Sequence, residues 1–174
     1  MKFKTIVSMA LCVVCVTCLM VSGCKKSSEV QADPIGALLQ YNGCKQFLAN
    51  TQENGLVPGP HNDCIEYQYN GSGKLILRHI NAGFNCCPGE ITATIEFNGN
   101  LVIITEAEAE QACRCNCLFD LDFEINNLSP GQYTIRIIEP YVETGDQVLE
   151  ITVNLSSATS GSFCLPRNYY PWVQ

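Results

Sequence analysis

The run Phe119-Asp120-Leu121-Asp122-Phe123-Glu124-Ile125 decides the fold class, because apolar and acidic residues alternate strictly along it. A period of two residues is typical of a β-strand with one face toward a core and the other toward water. Six further runs are also predicted to be short strands, and turn residues such as Asn-Gly separate most of them. These runs are Cys64–Asn70, Lys74–Ile80, Ile91–Phe97, Leu101–Thr105, Tyr133–Ile137 and Leu149–Leu155.

About seven short strands without convincing helices between them predict an all-β protein, built as an antiparallel β-sandwich. Parallel pairing needs long crossover connections, for which the chain leaves little room. Two stretches are exceptions to the strand pattern. Glu106–Ala112 has good helix-forming composition and is expected to be an exposed connection, and Ile35–Asn50 permits a short helix.

The composition of the 174-residue chain agrees with one folded domain. Hydrophobic residues make up 47% and charged residues 16%, so the chain can bury a core and does not resemble a disordered protein. The formal net charge is −7, and lysine and arginine are scattered rather than clustered. This charge distribution argues against a nucleic acid as partner.

Residues 1–24 have the features of an export signal. Two lysines precede a nearly continuous apolar run from Ile6 to Val21, which is short for a transmembrane helix and is followed by small residues. The run ends in Val21-Ser22-Gly23-Cys24, which resembles the lipobox of bacterial lipoproteins. That resemblance implies that the leader is removed and that Cys24 receives a diacylglycerol, which anchors the chain in a membrane.

The expected organisation follows from this leader. Residues 1–23 are the lipoprotein signal peptide, and residues 24–34 are the lipidated cysteine and a flexible polar tether. Residues 35–63 are a loop-rich N-terminal segment of the domain, and residues 64–174 are the cysteine-rich sandwich with a C-terminal tail. The protein is therefore expected in the cell envelope, at the outer membrane or at the outer face of the cytoplasmic membrane. An ordinary signal peptide with an incidental cysteine is the alternative.

One short motif sharpens the fold prediction. Leu128-Ser129-Pro130-Gly131-Gln132-Tyr133 precedes a predicted strand. It resembles the L-x-P-x-x-Y corner of immunoglobulin-like and fibronectin type III sandwiches. The resemblance implies that Leu128 packs in the core and that the Tyr133 hydroxyl bonds to the backbone across the corner. It implies an immunoglobulin-like architecture and no particular function.

Eight cysteines follow Cys24, and an even number in an exported chain predicts up to four disulfides. On a continuous strand Cys113, Cys115 and Cys117 would share one face at spacings of about 6.6 Å, so they are poor partners for one another. Adjacent Cys86 and Cys87 are also poor partners. We therefore expect Cys86 and Cys87 each to bond one member of the triplet. The third member is expected to pair with one of Cys44, Cys64 and Cys164.

Metal binding through the Cys86–Cys117 cluster is the alternative to disulfides, and free core thiols are a further one. Structural zinc sites usually space their ligands as C-x₂₋₄-C on a turn, which C-x-C on an extended strand does not match. Disulfides are therefore preferred, and neither a metal nor another cofactor is predicted.

The sequence shows no catalytic constellation. His61 and His79 lie outside the zinc-hydrolase spacings, and His79 is expected to be structural. A nucleophile elbow and a phosphate-binding loop are also missing, so the protein is predicted not to be an enzyme. Asp120, Asp122 and Glu124 share the polar face of one predicted strand. They are expected to form a solvated face, although their oxygens would also suit calcium.

The C-terminal run contains Arg167, Tyr169, Tyr170 and Trp172, and aromatic residues with an arginine are typical of binding surfaces. The preferred interpretation is that this tail lies back over an edge of the sandwich, held by Cys164, and covers core. A surface that stacks on a sugar or a partner protein is the alternative.

The mature chain also resembles a group of small, cysteine-rich secreted bacterial lipoproteins, and this resemblance implies no activity. The similar runs are Cys64–Tyr67, His79–Cys87 and Cys113–Cys117. The main hypothesis is a membrane-anchored, non-catalytic domain that binds a protein or glycan at the cell envelope, through loops at one end of the sandwich. The alternatives are a proteinase inhibitor and a thiol-dependent or metal protein that uses the Cys86–Cys117 cluster.

Overall fold

The computed structural model describes residues 31–46 and 58–168, which form two β-sheets packed against a shared core. The strands are β1 (Ile35–Tyr41), β2 (Asn62–Tyr69), β3 (Leu75–Asn85), β4 (Ile91–Asn98), β5 (Leu101–Glu108), β6 (Asn116–Asn126), β7 (Gln132–Ile138), β8 (Leu149–Asn154) and β9 (Ser160–Pro166). The five-stranded sheet has the order β1-β6-β3-β2-β9, and the four-stranded sheet has the order β4-β5-β7-β8. The predicted all-β sandwich is therefore confirmed.

The core lies between the sheets and consists of the inward-facing residues of the alternating strands. In the run 119–125, Phe119, Leu121, Phe123 and Ile125 are buried, and the acidic residues between them are only partly covered. At about 25 cal/mol per Å² of buried apolar surface, such side chains supply most of the driving force for folding. The other fully buried large side chains are Ile65, Leu75, Leu77, Phe84, Ile104, Leu118, Leu128 and Ile135.

The described residues contain two strands that the sequence did not predict, and both are edge strands of the five-stranded sheet. Strand β1 occupies the start of the stretch for which a short helix was allowed, so that expectation is wrong for Ile35–Tyr41. It pairs with β6 and contacts β4, and the absence of a side chain at Gly36 permits the close approach of Ile95. Strand β9 ends in Pro166, which an edge position tolerates because its missing N–H faces away from a partner strand.

The expected helical connection at Glu106–Ala112 is also wrong. Residues 106–108 complete β5, and Glu108 pairs with Ile91 at the start of β4. Helix propensity is only a weak preference over so short a stretch, and the hydrogen bonds offered by β4 outweigh it.

One strand pair departs from the expected antiparallel arrangement. Strands β5 and β7 are parallel, with Leu101 opposite Thr134 and Thr105 opposite Ile138. The chain between them contains β6, which lies in the other sheet. The chain that connects β5 to β7 therefore passes through the other sheet as β6, and this strand takes the place of the helix that usually connects parallel strands.

Within residues 31–46 and 58–168, no helix has the length and apolar character needed to cross a bilayer.

Candidate functional site

Five charged side chains are buried between the two sheets, and we call them the charged cluster. They come from β2, β3 and the segment after β9 on one side, and from β5 and the residue after β7 on the other. Their exposed fractions are 8% or less. The members are Asp63, His79, Glu106, Glu139 and Arg167.

His79 lies at the centre of the charged cluster. Its Nδ1 lies 2.7 Å from Glu106 Oε1, and its Nε2 lies 2.8 Å from Asp63 Oδ1. Because both ring nitrogens face carboxylate oxygens, the geometry suits an imidazolium that donates two hydrogen bonds. His79 thereby connects β2 and β3 of one sheet with β5 of the other.

Arg167 is the second cation of the charged cluster. Its Nε donates to Asp63 Oδ2 at 2.8 Å, and its Nη2 donates to the same oxygen and to Glu139 Oε1, the latter at 2.8 Å. Its Nη1 donates to the carbonyl oxygen of Gln147 at 2.6 Å. The guanidinium therefore joins the segment after β9 to the chain that follows β7.

The electrostatics of the charged cluster favour balanced charge. Burial lowers the pKa of His79, but the charge of Glu106 and the hydrogen bonds to Asp63 and Glu106 hold it well above its usual value. Burial also raises the pKa of Asp63, yet the hydrogen bond from His79 and the nearby cations hold it below its usual value. Burial, with the charge of Asp63, raises the pKa of Glu139 well above its usual value. A protonated Glu139 leaves two cations facing two carboxylates.

The charged cluster contains a geometric candidate for a metal site, formed by Asp63, His79 and Glu139. Their ligand atoms lie within 4.8 Å of one another. The Arg167 guanidinium, however, already donates to both carboxylates and supplies the positive charge that an ion would bring. The arrangement is therefore best suited to holding the two sheets together.

The burial of Arg167 agrees with the preferred interpretation, in which the tail covers core, and contradicts the alternative of an exposed binding surface at that residue. Glu106, expected on an exposed connection, is only 3% exposed. The sequence did contain a signal for the charged cluster, since alternation places His79 on the same face as Leu75 and Leu77.

A groove crosses the outer face of the five-stranded sheet, and we call it the outer groove. Its volume is about 570 Å³. Every strand of the sheet contributes to its lining, from β1 at one edge to β9 at the other. The lining residues are Leu39, Gln40, Glu66, Tyr67, Gln68, Ile76, Arg78, Asp122, Ser160, Gly161 and Ser162.

The register of the β2–β3 hairpin builds the centre of the outer groove. Glu66 lies opposite Arg78, and Gln68 lies opposite Ile76. The Asn70-Gly71-Ser72-Gly73 turn sets this register, and the side chain of Asn70 accepts hydrogen bonds from the backbone of the turn. The sequence therefore contained the information needed to place Glu66 beside Arg78, although no binding role was predicted for either residue.

The acidic ladder on β6 is only partly solvated, because basic residues pair with it. Lys45 and Arg78 bind the two oxygens of Asp120 at 2.8 and 3.2 Å, and Lys74 lies 2.5 Å from Glu124. The hydrogen bond from Lys74, together with one from Asn126, holds the pKa of Glu124 below its usual value. Asp120 and Glu124 therefore already have protein cations as partners.

The eight cysteines after Cys24 form four disulfides, so the disulfide prediction is confirmed. The pairs are Cys44–Cys117, Cys64–Cys164, Cys86–Cys115 and Cys87–Cys113. The expected pattern is present, since Cys86 and Cys87 each bond one member of the triplet and the third member bonds Cys44. Strand β6 begins only at Asn116, so Cys117 alone of the triplet takes the core-facing position of a continuous strand.

The pairing follows from the ladder between β3 and β6, which ends with Asn85 opposite Asn116. One residue further, the Cys86 amide donates to the carbonyl oxygen of Cys115 at 2.9 Å. The buried side chain of Asn85 accepts from the amides of Cys87 and Cys113 at 2.9 and 3.1 Å. This asparagine therefore holds both cysteine-bearing segments in position for bonding.

The Leu128–Tyr133 corner has the contacts that the resemblance implies. Leu128 is fully buried, and the Tyr133 hydroxyl donates to the carbonyl oxygen of Ser129 at 3.0 Å. The Tyr69 hydroxyl donates to the carbonyl oxygen of Leu128 at 2.8 Å, which ties β2 to the same corner. Neither tyrosine lines the outer groove.

The leader with its lipobox Val21–Cys24 and the tail residues Tyr169, Tyr170 and Trp172 lie outside the described residues. His61, the remaining histidine, is exposed in the loop before β2, and its backbone carbonyl accepts from the Arg167 amide at 2.8 Å.

Comparison of the chain with protein-family models, with curated proteins and with solved structures gives no match.

Proposed function

We propose that the protein is a lipid-anchored, non-catalytic binding module of the cell envelope that holds an extended glycan or peptide in the outer groove. The observation that supports this proposal is the path of the groove, which crosses all five strands of one sheet. With neighbouring strands about 4.8 Å apart, five strands span about 19 Å. A linear polymer fits such a path better than a compact small molecule.

The chemistry of the outer groove suits a polar chain. Gln40 and Gln68 offer amide donors and acceptors, Glu66 and Asp122 offer carboxylates, and Arg78 offers a guanidinium. These groups match the hydroxyls of a glycan or the backbone of a peptide. The apolar residues Leu39 and Ile76 also line the groove, and Leu39 is 55% exposed.

The anchoring part of the proposal rests on the lipobox resemblance at Val21–Cys24. The link from Cys24 to the domain is proposed to be residues 25–30, because Gln31 Nε2 already donates to the Asn127 carbonyl oxygen at 3.1 Å and to Ser129 Oγ at 2.6 Å. Replacement of Cys24 by serine should abolish incorporation of a radiolabelled fatty acid and release the exported protein from the membrane fraction. Unchanged labelling of Cys24→Ser would contradict the lipid anchor and leave the binding proposal standing.

Binding is tested by presenting the purified protein to immobilised envelope polysaccharide fragments and, separately, to extended peptides. The critical variant is Arg78→Ala, and the matched control is Arg136→Ala. Both arginines lie on outward faces and pair with a carboxylate on a neighbouring strand, but Arg136 belongs to the four-stranded sheet.

Loss of a charged hydrogen bond to the ligand costs about 1.5–3 kcal/mol, which raises the Kd roughly tenfold or more. Arg78→Ala should show this loss, and Arg136→Ala should bind as the unmodified protein does. An equal effect of both variants, or no binding to either class of polymer, would refute the outer groove as the binding site.

A further inference from the structure

Two disulfides lie in direct proximity at the paired ends of β3 and β6. The sulfur atoms of Cys44, Cys86 and Cys117 lie within 4.8 Å of one another, and we call them the sulfur cluster. Cys44 and Cys117 are bonded to each other, whereas Cys86 is bonded to Cys115. The sulfur cluster therefore brings one half of the second disulfide against both halves of the first.

The four cysteines of these two disulfides differ in their exposure to solvent. Cys115 is exposed, Cys44 and Cys86 are half-buried, and Cys117 is buried at 3%. Because Cys115 is the more exposed half of its disulfide, a thiolate from solution is expected to attack at Cys115. Attack there makes Cys86 the leaving group, and the Cys86 sulfur lies inside the sulfur cluster.

A cavity of about 400 Å³ lies beside the sulfur cluster. Its described lining includes Lys45 and His61 and no carboxylate side chain. The Lys45 ammonium lies 2.8 Å from Asp120 Oδ1, so the proximity of the sulfurs, and not a basic neighbour, favours exchange. The remaining lining residues are Cys44, Gln46, Pro60, Cys86 and Cys117.

We propose that Cys86–Cys115 and Cys44–Cys117 form a thiol–disulfide exchange site that oxidises a thiol-bearing reductant. The external thiolate attacks the Cys115 sulfur, the Cys86–Cys115 bond breaks, and its electron pair leaves on Cys86 as a thiolate. A mixed disulfide between the reductant and Cys115 forms in the same step.

The second step stays within the sulfur cluster. The Cys86 thiolate attacks the Cys44–Cys117 disulfide, forms a new bond to one of its sulfurs, and releases the other as a thiolate. A second external thiolate then attacks the reductant sulfur of the mixed disulfide and frees Cys115. Two external thiols are thereby oxidised to one disulfide, and two protein disulfides become one disulfide and two thiols.

The experiment uses Cys115→Ser, in which Cys86 permanently lacks its partner. The protein is made from the full sequence in an oxidising compartment and is then unfolded in denaturant that contains the alkylating agent, so that buried free thiols are also trapped, and the disulfides are mapped by mass spectrometry. A large share of the molecules should contain a Cys86–Cys44 or Cys86–Cys117 disulfide, with the displaced cysteine alkylated. Exclusive alkylation of Cys86 beside an intact Cys44–Cys117 disulfide would overturn the proposal.

Cys164→Ser is the matched control, because it likewise removes the exposed half of a disulfide and leaves Cys64 without a partner. Among the described residues, Cys64 belongs to no group of three neighbouring sulfurs. This variant should therefore show an alkylated Cys64 and three unchanged disulfides. Rearrangement to a similar extent in both variants would indicate random exchange during folding and would also overturn the proposal.

If the Cys115→Ser variant does not fold, a second measurement on the unmodified protein tests the proposal. The unmodified protein is treated with about one equivalent of reduced glutathione, quenched with acid and mapped in the same way. Glutathione should be found on Cys115, together with a new disulfide from Cys86 to Cys44 or Cys117. Glutathionylation elsewhere, or reduction without the new disulfide, would contradict the exchange site.

Discussion

Removing the Arg167 guanidinium tests whether the charged cluster holds the sandwich together. Arg167→Met keeps most of the length of the side chain and deletes its charge and its donors. The change leaves Asp63 with His79 alone as its cationic partner, and it leaves Glu139 Oε1 without the donor that lies 2.8 Å away. The backbone hydrogen bond from residue 167 to His61 is unaffected, because it involves only the main chain.

The expected cost follows from the burial of the partners. The side chains of Asp63 and Arg167 are 0% and 6% exposed, so water cannot replace the lost interactions. Breaking a buried ion pair from one side costs about 3–5 kcal/mol, because it leaves a charge uncompensated in the interior. The matched change Arg136→Met affects a pair with Glu150 whose side chains are 39% and 38% exposed, and it should cost about 0–1 kcal/mol.

Urea unfolding at neutral pH, with the disulfides intact, measures both costs. With a slope of about 2 kcal/mol per M, Arg167→Met should lower the midpoint by about 1.5–2.5 M and leave the slope unchanged. Arg136→Met should lower it by about 0.5 M or less. Similar midpoints for the two variants would refute the reasoning, since they would show that Arg167 is no more desolvated than a surface arginine.

Three further predictions concern pH, the corner and the packing of β1. The folded pKa of Glu139 lies above its ordinary value of 4.5, so stability is lost as pH rises from about 4.5 through the folded pKa. Glu139→Gln removes that loss, and urea titrations should show its advantage over the unmodified protein growing as the pH rises above about 4.5. Tyr133→Phe deletes the bond to Ser129 and should lower the free energy of unfolding by about 0.5–1.5 kcal/mol, whereas an unchanged value would show that the corner bond adds nothing. Gly36→Ala places a Cβ 2.7 Å from the Ile95 Cδ1 atom, and calorimetry should show a free energy of unfolding lower by about 1–3 kcal/mol. An unchanged free energy of unfolding would show that Ile95 moves aside at no cost.

The sequence predicted the fold class because its information is local. Alternation over Phe119–Ile125 fixes which side chains face the core, and the Asn70–Gly73 turn fixes the pairing of its two strands. The spacing of Cys113, Cys115 and Cys117 predicted their bonding to other segments on the assumption of a continuous strand, although only Cys117 lies on β6.

The edge strands and the charged cluster could not be predicted from local sequence patterns. Strand β1 has a helix-compatible pattern, and it is extended because β6 offers it backbone partners. Strand β9 is rich in Ser and Gly, and it lies beside β2 with Cys64 opposite Cys164. Both strands exist because of partners distant in the sequence, which no local pattern reveals.

The sequence by itself therefore determined the alternating faces and the turns, and it indicated that Cys86 and Cys87 bond members of the Cys113–Cys117 triplet, whereas the partner of the third member was left open. Only the tertiary structure decided that Asp63 and Arg167, 104 positions apart, share a buried ion pair, and that the sulfur of Cys86 lies against a second disulfide. The physical reason is that strand periodicity acts within a few residues. Charge pairing and sulfur proximity depend on distances in space, which are set only when the two sheets pack.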